Sequence, residues 1–273
     1  MLQSEITRIK PAGPLGWDLK ELWAYRELLY FLTWRDVKVR YKQTAIGVTW
    51  AVLQPVLTTA LFTVIFSNFA RFDTGGIAYP LFALSGLMIW LYVHTAVTMA
   101  SGSFVGNTNL VTKVYFPRLI VPLAAVLAGL VDLVFSFVVL VGLMLYYGTS
   151  PTWQLVLVPV FIVLSAMLAA ALGILFSALN VKFRDVKFAL PFLLQVWMIA
   201  SPIFYPLTLL SDKWKLIFAI NPLTGILEGL RSALFGTELD WQVIGVSAAS
   251  LLVLFATSLF VFKWMEDEFA DLI

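Results

Sequence analysis

The chain has no cysteine among its 273 residues, a single histidine, and charged side chains at only 12% of positions. Without cysteine there are neither disulfides nor thiolate-held metals. The lone histidine, His94, cannot build a metal site by itself, and no cluster of acids joins it. The shortage of charge excludes more. Soluble domains carry about 25% Asp, Glu, Lys and Arg. Here 61% of residues are hydrophobic and the mean hydropathy is +0.92. So few charges cannot cover that much apolar surface in water, so the composition is that of an integral membrane protein. The patterns G-x-x-x-x-G-K-[ST], H-E-x-x-H and G-x-S-x-G are also missing. The chain therefore carries no visible means of using ATP or hydrolysing a substrate. It is expected to hold no cofactor or metal and to bind no nucleic acid.

What is abundant is long apolar runs. A membrane helix needs about 20 mostly apolar residues, and five stretches meet that: 46–69, 79–100, 120–146, 153–180 and 243–262. A sixth, 188–207, contains Pro191, Pro202 and Pro206 and is read as a kinked span, since neighbouring helices can satisfy the freed backbone groups. Residues 1–45 form a polar N-terminal segment, 46–264 the six-span domain, and 265–273 a short tail. The first apolar run begins behind a long polar segment, unlike a cleaved signal peptide, so the amino terminus is expected to be retained.

The cations are unevenly placed. Arg8, Lys10, Lys20, Arg26, Arg35, Lys38, Arg40 and Lys42 precede the first span. Lys113, Arg118, Lys182, Arg184, Lys187 and Lys263 fall in the connections and the end that share its side. Arg71, Lys213, Lys215 and Arg231 remain for the other side. The positive-inside rule then puts both termini in the cytoplasm.

Ahead of the first span, "WDLKELWAYRELLYFLTW" has a marked helix start. Asp18 is placed to cap it, Glu21 stands three residues on, and Trp17 with Leu22 suits a hydrophobic staple. Lys20, Ala24, Glu27, Phe31, Arg35, Lys38 and Lys42 share one face at helical spacing, while Leu22, Trp23, Leu29, Tyr30 and Trp34 lie away from it. Such a helix is expected to lie along a membrane interface, and packing on a soluble partner is compatible with that. Between the fifth and sixth spans, the apolar pieces 214–220 and 223–235 are each too short to cross. Asn221–Pro222 is a good helix opening and Gly236 a natural stop. A helical hairpin over about 208–236, re-entering from outside, is expected; two helices lying flat on the surface are the alternative.

Asp132 stands alone in the middle of the third span. An ionisable group there costs about 2.5–3.5 kcal/mol on insertion scales, so it is expected to be hydrogen-bonded to Ser, Thr or Gln of a neighbouring helix. His94, in the second span, is expected to pack between helices or border a wet cavity. Trp90, Tyr92, Trp197, Phe204 and Tyr205 are deeper than the interfacial aromatics or flank the hairpin. They are candidates to line a path for sugar rings, with lipid contact or helix packing as the plainer account of each.

Four stretches carry a resemblance: "RDVKVRYKQTAIGVTWAVLQPVL" (35–57), "KVYFPRLIVPLAAVLAGLVDL" (113–133), "NVKFRDVKFALPFLLQVWMIASPIFYP" (180–206) and "INPLTGILEGLRSALFG" (220–236). In this order they resemble type-2 ABC exporter permeases, in the branch that exports O-antigen, capsule or teichoic-acid polysaccharides. The resemblance implies a bacterial inner-membrane homodimer served by two copies of a separate ATPase, which would bind the ATP and magnesium. It implies that the interface helix, around 18–40, and the cytoplasmic turn, around 107–118, touch that ATPase, through Lys20, Glu27, Arg35, Lys113, Tyr115 and Arg118. The hairpin, around 207–235, would form the outward gate region. The implied cargo is a glycan on a polyprenyl diphosphate, with Arg35, Lys38, Arg40 and Lys42 as candidates to meet the diphosphate by charge-assisted hydrogen bonds. Positive-inside topology explains those cations equally well. The other cargo class for this fold is small lipophilic compounds such as antibiotics.

Overall fold

Long apolar runs must satisfy their backbone groups internally once water is gone, and helix is the local way to do so. The computed structural model describes residues 19–42, 49–66, 73–266 and 269, and among these there is no β-strand. The helices are α1 (Leu19–Ala24), α2 (Arg26–Lys42), α3 (Thr49–Ile65), α4 (Tyr79–Gly106), α5 (Thr108–Lys113), α6 (Ile120–Tyr146), α7 (Val158–Lys182), α8 (Val186–Ala200), α9 (Asp212–Ala219), α10 (Pro222–Phe235) and α11 (Trp241–Glu266). Trp17 and Asp18, the expected staple and cap, lie outside the described residues.

Four elements are long and apolar enough to cross a membrane: α4, α6, α11, and α7 together with the 3-10 turn Trp153–Leu157 that leads into it. Helix α3 has 17 residues with Pro55 inside it, and α8 has 15 with Pro191 inside it. Helix α8 stops at Ala200 because Ser201 precedes Pro202, and a residue before proline is driven into extended backbone; Ser201 has ψ 147°.

Helix α4 is the axis of the bundle, buried over most of its length and packed against α6 and α7. Small residues permit the approach. Ala96, Ala100, Ser101 and Ser103 are all buried on α4, and Asn180 of α7 donates to the Ser101 carbonyl at 2.9 Å. Helix α7 packs in turn on α11, and α10 lies among α11, α7 and α4.

Helices α1 and α2 are almost one rod, since Tyr25 N–H bonds the Glu21 carbonyl at 3.2 Å and Leu29 N–H bonds the Tyr25 carbonyl at 3.1 Å. The rod is more than a surface strip: α2 packs along α6. Leu22, Tyr25, Leu28 and Leu29 are turned to the core, and Leu32 is buried. Lys20, Ala24, Glu27, Phe31, Arg35, Lys38 and Lys42 are all exposed.

Helix α10 has the start and stop its sequence encodes. The Asn221 side chain accepts from Leu223 N–H, Pro222 follows in the first turn, and Gly236 ends the helix at φ +74°, in the left-handed region that glycine favours. Its residues from Leu223 to Leu234, Glu228 apart, are buried, which places it inside the bundle.

Candidate functional site

At the end where α4 and α7 finish, the turn after α5 meets α1. Tyr115 hydrogen-bonds Glu21; its partial desolvation, followed by the charge of Glu21, pushes the phenol pKa up. Arg118 donates to the Glu266 carbonyl at the end of α11, and its guanidinium lies 5.8 Å from the Phe269 ring centre. The Lys263 ammonium pairs with Glu266 at 2.8 Å. The rod α1–α2, the α5 turn and the end of α11 are therefore one connected surface. On it Lys20, Glu27, Arg35, Lys113 and Tyr115 are exposed, while Arg118 acts as an internal strut.

The four basic residues at the end of α2 do not act alike. Arg35 is exposed and pairs with Asp36 at 2.8 Å, and Lys38 lies 5.4 Å from the Trp34 ring centre. Lys42 is exposed. Arg40 turns inward to the carboxylate of Asp132, which also accepts from the Tyr41 hydroxyl. The Tyr41 ring then meets Phe135 edge-to-face at 6.2 Å.

Among the described residues Asp132 is thus held by Arg40 and Tyr41, and not by the Ser, Thr or Gln of another span that its setting in the sequence suggested. Its partners come from the helix before the first span. The reason is the packing of α2 up the flank of α6, which carries Arg40 to a residue about 18 Å along that helix at 1.5 Å per residue. His94 lies 5.9 Å from Trp90 between ring centres, one turn along on the same helix α4.

The aromatic path candidates have four different settings. Trp90 is buried and meets Trp197 edge-to-face at 5.5 Å. Trp197 lies on the wall of an apolar cleft of about 540 Å³ between α7, α8, α9 and α11, and its indole N–H donates to Asn221 at 3.0 Å. Tyr92 is turned toward α6, its hydroxyl 3.4 Å from the Val126 carbonyl. Phe204 is buried against Phe62 of α3, with ring centres 3.7 Å apart. Tyr205 donates to the Ile199 carbonyl at 3.3 Å.

The sequence reading passed over Arg231, which entered only as a cation on the far side. It is 3% exposed. Its guanidinium donates to the carbonyls of Pro202 and Ile203 at 2.7 Å each and of Phe82 at 3.4 Å, pairs with Glu228 at 3.3 Å, and stacks 3.6 Å from the Phe82 ring centre. The available signal was Glu228 standing three residues before Arg231, one helical turn apart in an otherwise apolar stretch.

Comparison with known proteins decides what this arrangement belongs to. The family model described as ABC-2 type transporter matches residues 27–235. The chain belongs to the ABC-2 type transporter family. It is 30% identical over 257 residues to the O-antigen export system permease protein RfbA of Myxococcus xanthus, covering 93% of this chain and 98% of that one. A Klebsiella pneumoniae protein of the same name is 26% identical over 248 residues, covering 90% and 95%. The polysialic acid transport protein KpsM of Escherichia coli is 24% identical over 207 residues, covering 73% and 78%. The family match begins at α2 and ends with α10, so it takes in the latch at Asp132 and the Arg231 cluster alike.

Proposed function

We infer that this chain is the permease subunit of an ATP-driven exporter that moves a lipid-linked polysaccharide across a bacterial cytoplasmic membrane. The observation that carries the reading is its near full-length likeness to O-antigen export permeases, joined by a relative named for polysialic acid transport. Small lipophilic compounds, the other cargo class, draw no support from those names.

In this reading the membrane is crossed six times. The four long helices are joined by α3 and by α8. Helix α8 is about 22 Å long at 1.5 Å per residue, and the turns and bends of residues 201–206 continue from its end. The cation bias holds both termini in the cytoplasm. Helices α9 and α10 form the external hairpin. A second copy covers the apolar outward face of α8, where Phe188, Phe192, Val196 and Ile199 are exposed. A separate ATPase, holding the nucleotide and magnesium, docks on the exposed face of α1–α2 and on the α5 turn. Its closure pushes the rod, and the rod is tied to α6 through Arg40, Tyr41 and Asp132. Arg35, Lys38 and Lys42 remain on the accessible face to meet a lipid diphosphate, whereas Arg40 is engaged by Asp132.

The test is removal of the chain from its host cell. Lipid-linked glycan should accumulate on the cytoplasmic leaflet and surface glycan should disappear, with recovery on resupply of the intact chain. Unchanged surface glycan would overturn the reading, and so would glycan movement by the purified chain with no ATPase present.

A further inference from the structure

A buried arginine in a membrane protein is expensive and marks function more often than it marks stability. Arg231 is more than a charge hidden beside Glu228. Two of its three backbone acceptors, Pro202 and Ile203, belong to the corner between α8 and α9. The third, Phe82, belongs to the first turn of α4. The guanidinium thus ties α10, α4 and the corner together. Its Nε has no hydrogen-bond partner among the described residues, which is not how a group placed purely for stability is satisfied.

The residue after Ile203 is Phe204, the one that reaches across to α3. Its ring stacks on Phe62 with centres 3.7 Å apart and lies parallel to Phe66 at 6.1 Å. Tyr79 completes the cluster. Its ring is 6.2 Å from Phe66 and its hydroxyl donates to the Phe204 carbonyl at 3.0 Å. The stack joins α3 to α4 and to the α8–α9 corner, at the α10 end of the bundle. The corner's backbone sets where Phe204 stands: Arg231 holds it at the Pro202 and Ile203 carbonyls, and Tyr79 holds the Phe204 carbonyl itself. Gly86 leaves the room for this. A Cβ there would sit 2.7 Å from the Arg231 guanidinium and 2.8 Å from the Ile203 carbonyl oxygen, closer than real Cβ atoms approach.

We propose that Arg231 is the positioning residue of an aromatic closure. By gripping the Pro202 and Ile203 carbonyls it sets Phe204 against Phe62 and Phe66, and this stack shuts the space between α3 and the α8–α9 corner. What the closure shuts off, the outer end of the glycan path, rests on the export reading above. The positioning itself does not.

The chain lacks cysteine, so introduced thiols report without background. Phe62→Cys with Phe204→Cys, in the complex in its membrane, should be joined by a short thiol-to-thiol crosslinker. Adding Arg231→Gln should cut the yield by about tenfold, the shift expected from losing a charged hydrogen bond. A Tyr41→Cys and Phe135→Cys pair, at the Asp132 latch, should keep its yield and so report an intact fold. If Arg231→Gln does not fold, Gly86→Ala decides. It leaves the charge in place but forces the guanidinium or the Ile203 carbonyl to shift, and should lower the 62–204 yield in the same direction. An unchanged 62–204 yield in the folded variant would overturn the proposal.

In an otherwise cysteine-free background, Arg231→Gln should also lower surface glycan delivered per ATP hydrolysed. Normal delivery alongside a lost crosslink would overturn the role as a closure. Normal surface glycan in cells lacking the chain altogether would instead overturn the export reading and leave the crosslinking result standing.

Discussion

Arg231 and Arg40 are both drawn into the apolar body of the chain, and they are held by different kinds of partner. Arg231 faces neutral carbonyls, a ring, and an acid three residues back on its own helix. Arg40 faces a carboxylate 92 positions away, on a helix from another part of the chain. The carbonyl cage cannot be left without orphaning the Pro202 and Ile203 acceptors together, while the Phe82 carbonyl still accepts from Ser85. The ion pair is partly open to solvent, with 18% and 23% side-chain exposure, and its members can exchange partners with water. The α10 end is therefore built as a fixed corner, and the α2 end as a joint that can be loaded and released.

The contrast is broken or sharpened first by Arg231→Met. Replacing both members of a buried pair by apolar groups is often neutral, but here one donor is removed while three carbonyls and Glu228 stay behind. A loss of about 4 kcal/mol in unfolding free energy is expected, read from denaturant or thermal unfolding in one fixed detergent. A loss below about 1 kcal/mol would mean that the cage contributes no more than an ordinary hydrogen bond.

Asp132→Asn should cost less, about 2 kcal/mol, because both partners keep some water and the amide can still accept from Arg40. The charge swap Arg40→Asp with Asp132→Arg should recover at least half of the loss caused by either single change, as coupled neighbours do. No recovery would mean that the pair is incidental to the packing of α2 on α6.

The all-helical architecture was legible because a chain this apolar has few other ways to satisfy its backbone. The opening of α10 at Asn221–Pro222 and its stop at Gly236 were legible because both are local chemistry. The Arg40–Asp132 pair was not. A helix ahead of the first span reads as lying on the membrane, and only its packing on α6 brings position 40 to position 132. For a related reason the burial of Arg231 was not legible. Counting cations by side treats each as solvated, and burial of a cation is a tertiary fact. The aromatics show the same division: their depth in the chain was readable, whereas the pairing of Trp90 with Trp197 and of Phe62 with Phe204 depends on how α8 and α3 are docked.

Asn221→Ala probes the fixed corner without touching a charge. The side chain caps α10 through Leu223 N–H, accepts from the Trp197 indole at 3.0 Å and donates to Ser201 at 2.8 Å. Cap loss is worth about 1 kcal/mol, and the effect should be local. Hydrogen exchange should rise in the first turn of α10 while the α2–α6 contact keeps its protection. Equal loosening of both regions would dissolve the distinction between corner and joint.

The smallest effect is expected from Arg35→Ala, the control for the joint. Arg35 and Asp36 are 2.8 Å apart, a shorter separation than many functional pairs, yet distance alone does not make a pair matter. Both sit on one helix, Arg35 is well exposed, and water screens the attraction, so unfolding free energy should change by less than about 0.5 kcal/mol. On the proposed reading its effect appears elsewhere, in docking of the ATPase to the exposed face of α2. That loss should be visible at low salt and shrink as ionic strength passes about 0.1 M, where the screening length is about 10 Å. The Asp132→Asn defect, being partly buried, should persist across the same salt series. If the two variants responded to salt alike, the Arg40–Asp132 pair would be behaving as a surface ion pair, and α2 would not be latched to α6 through it.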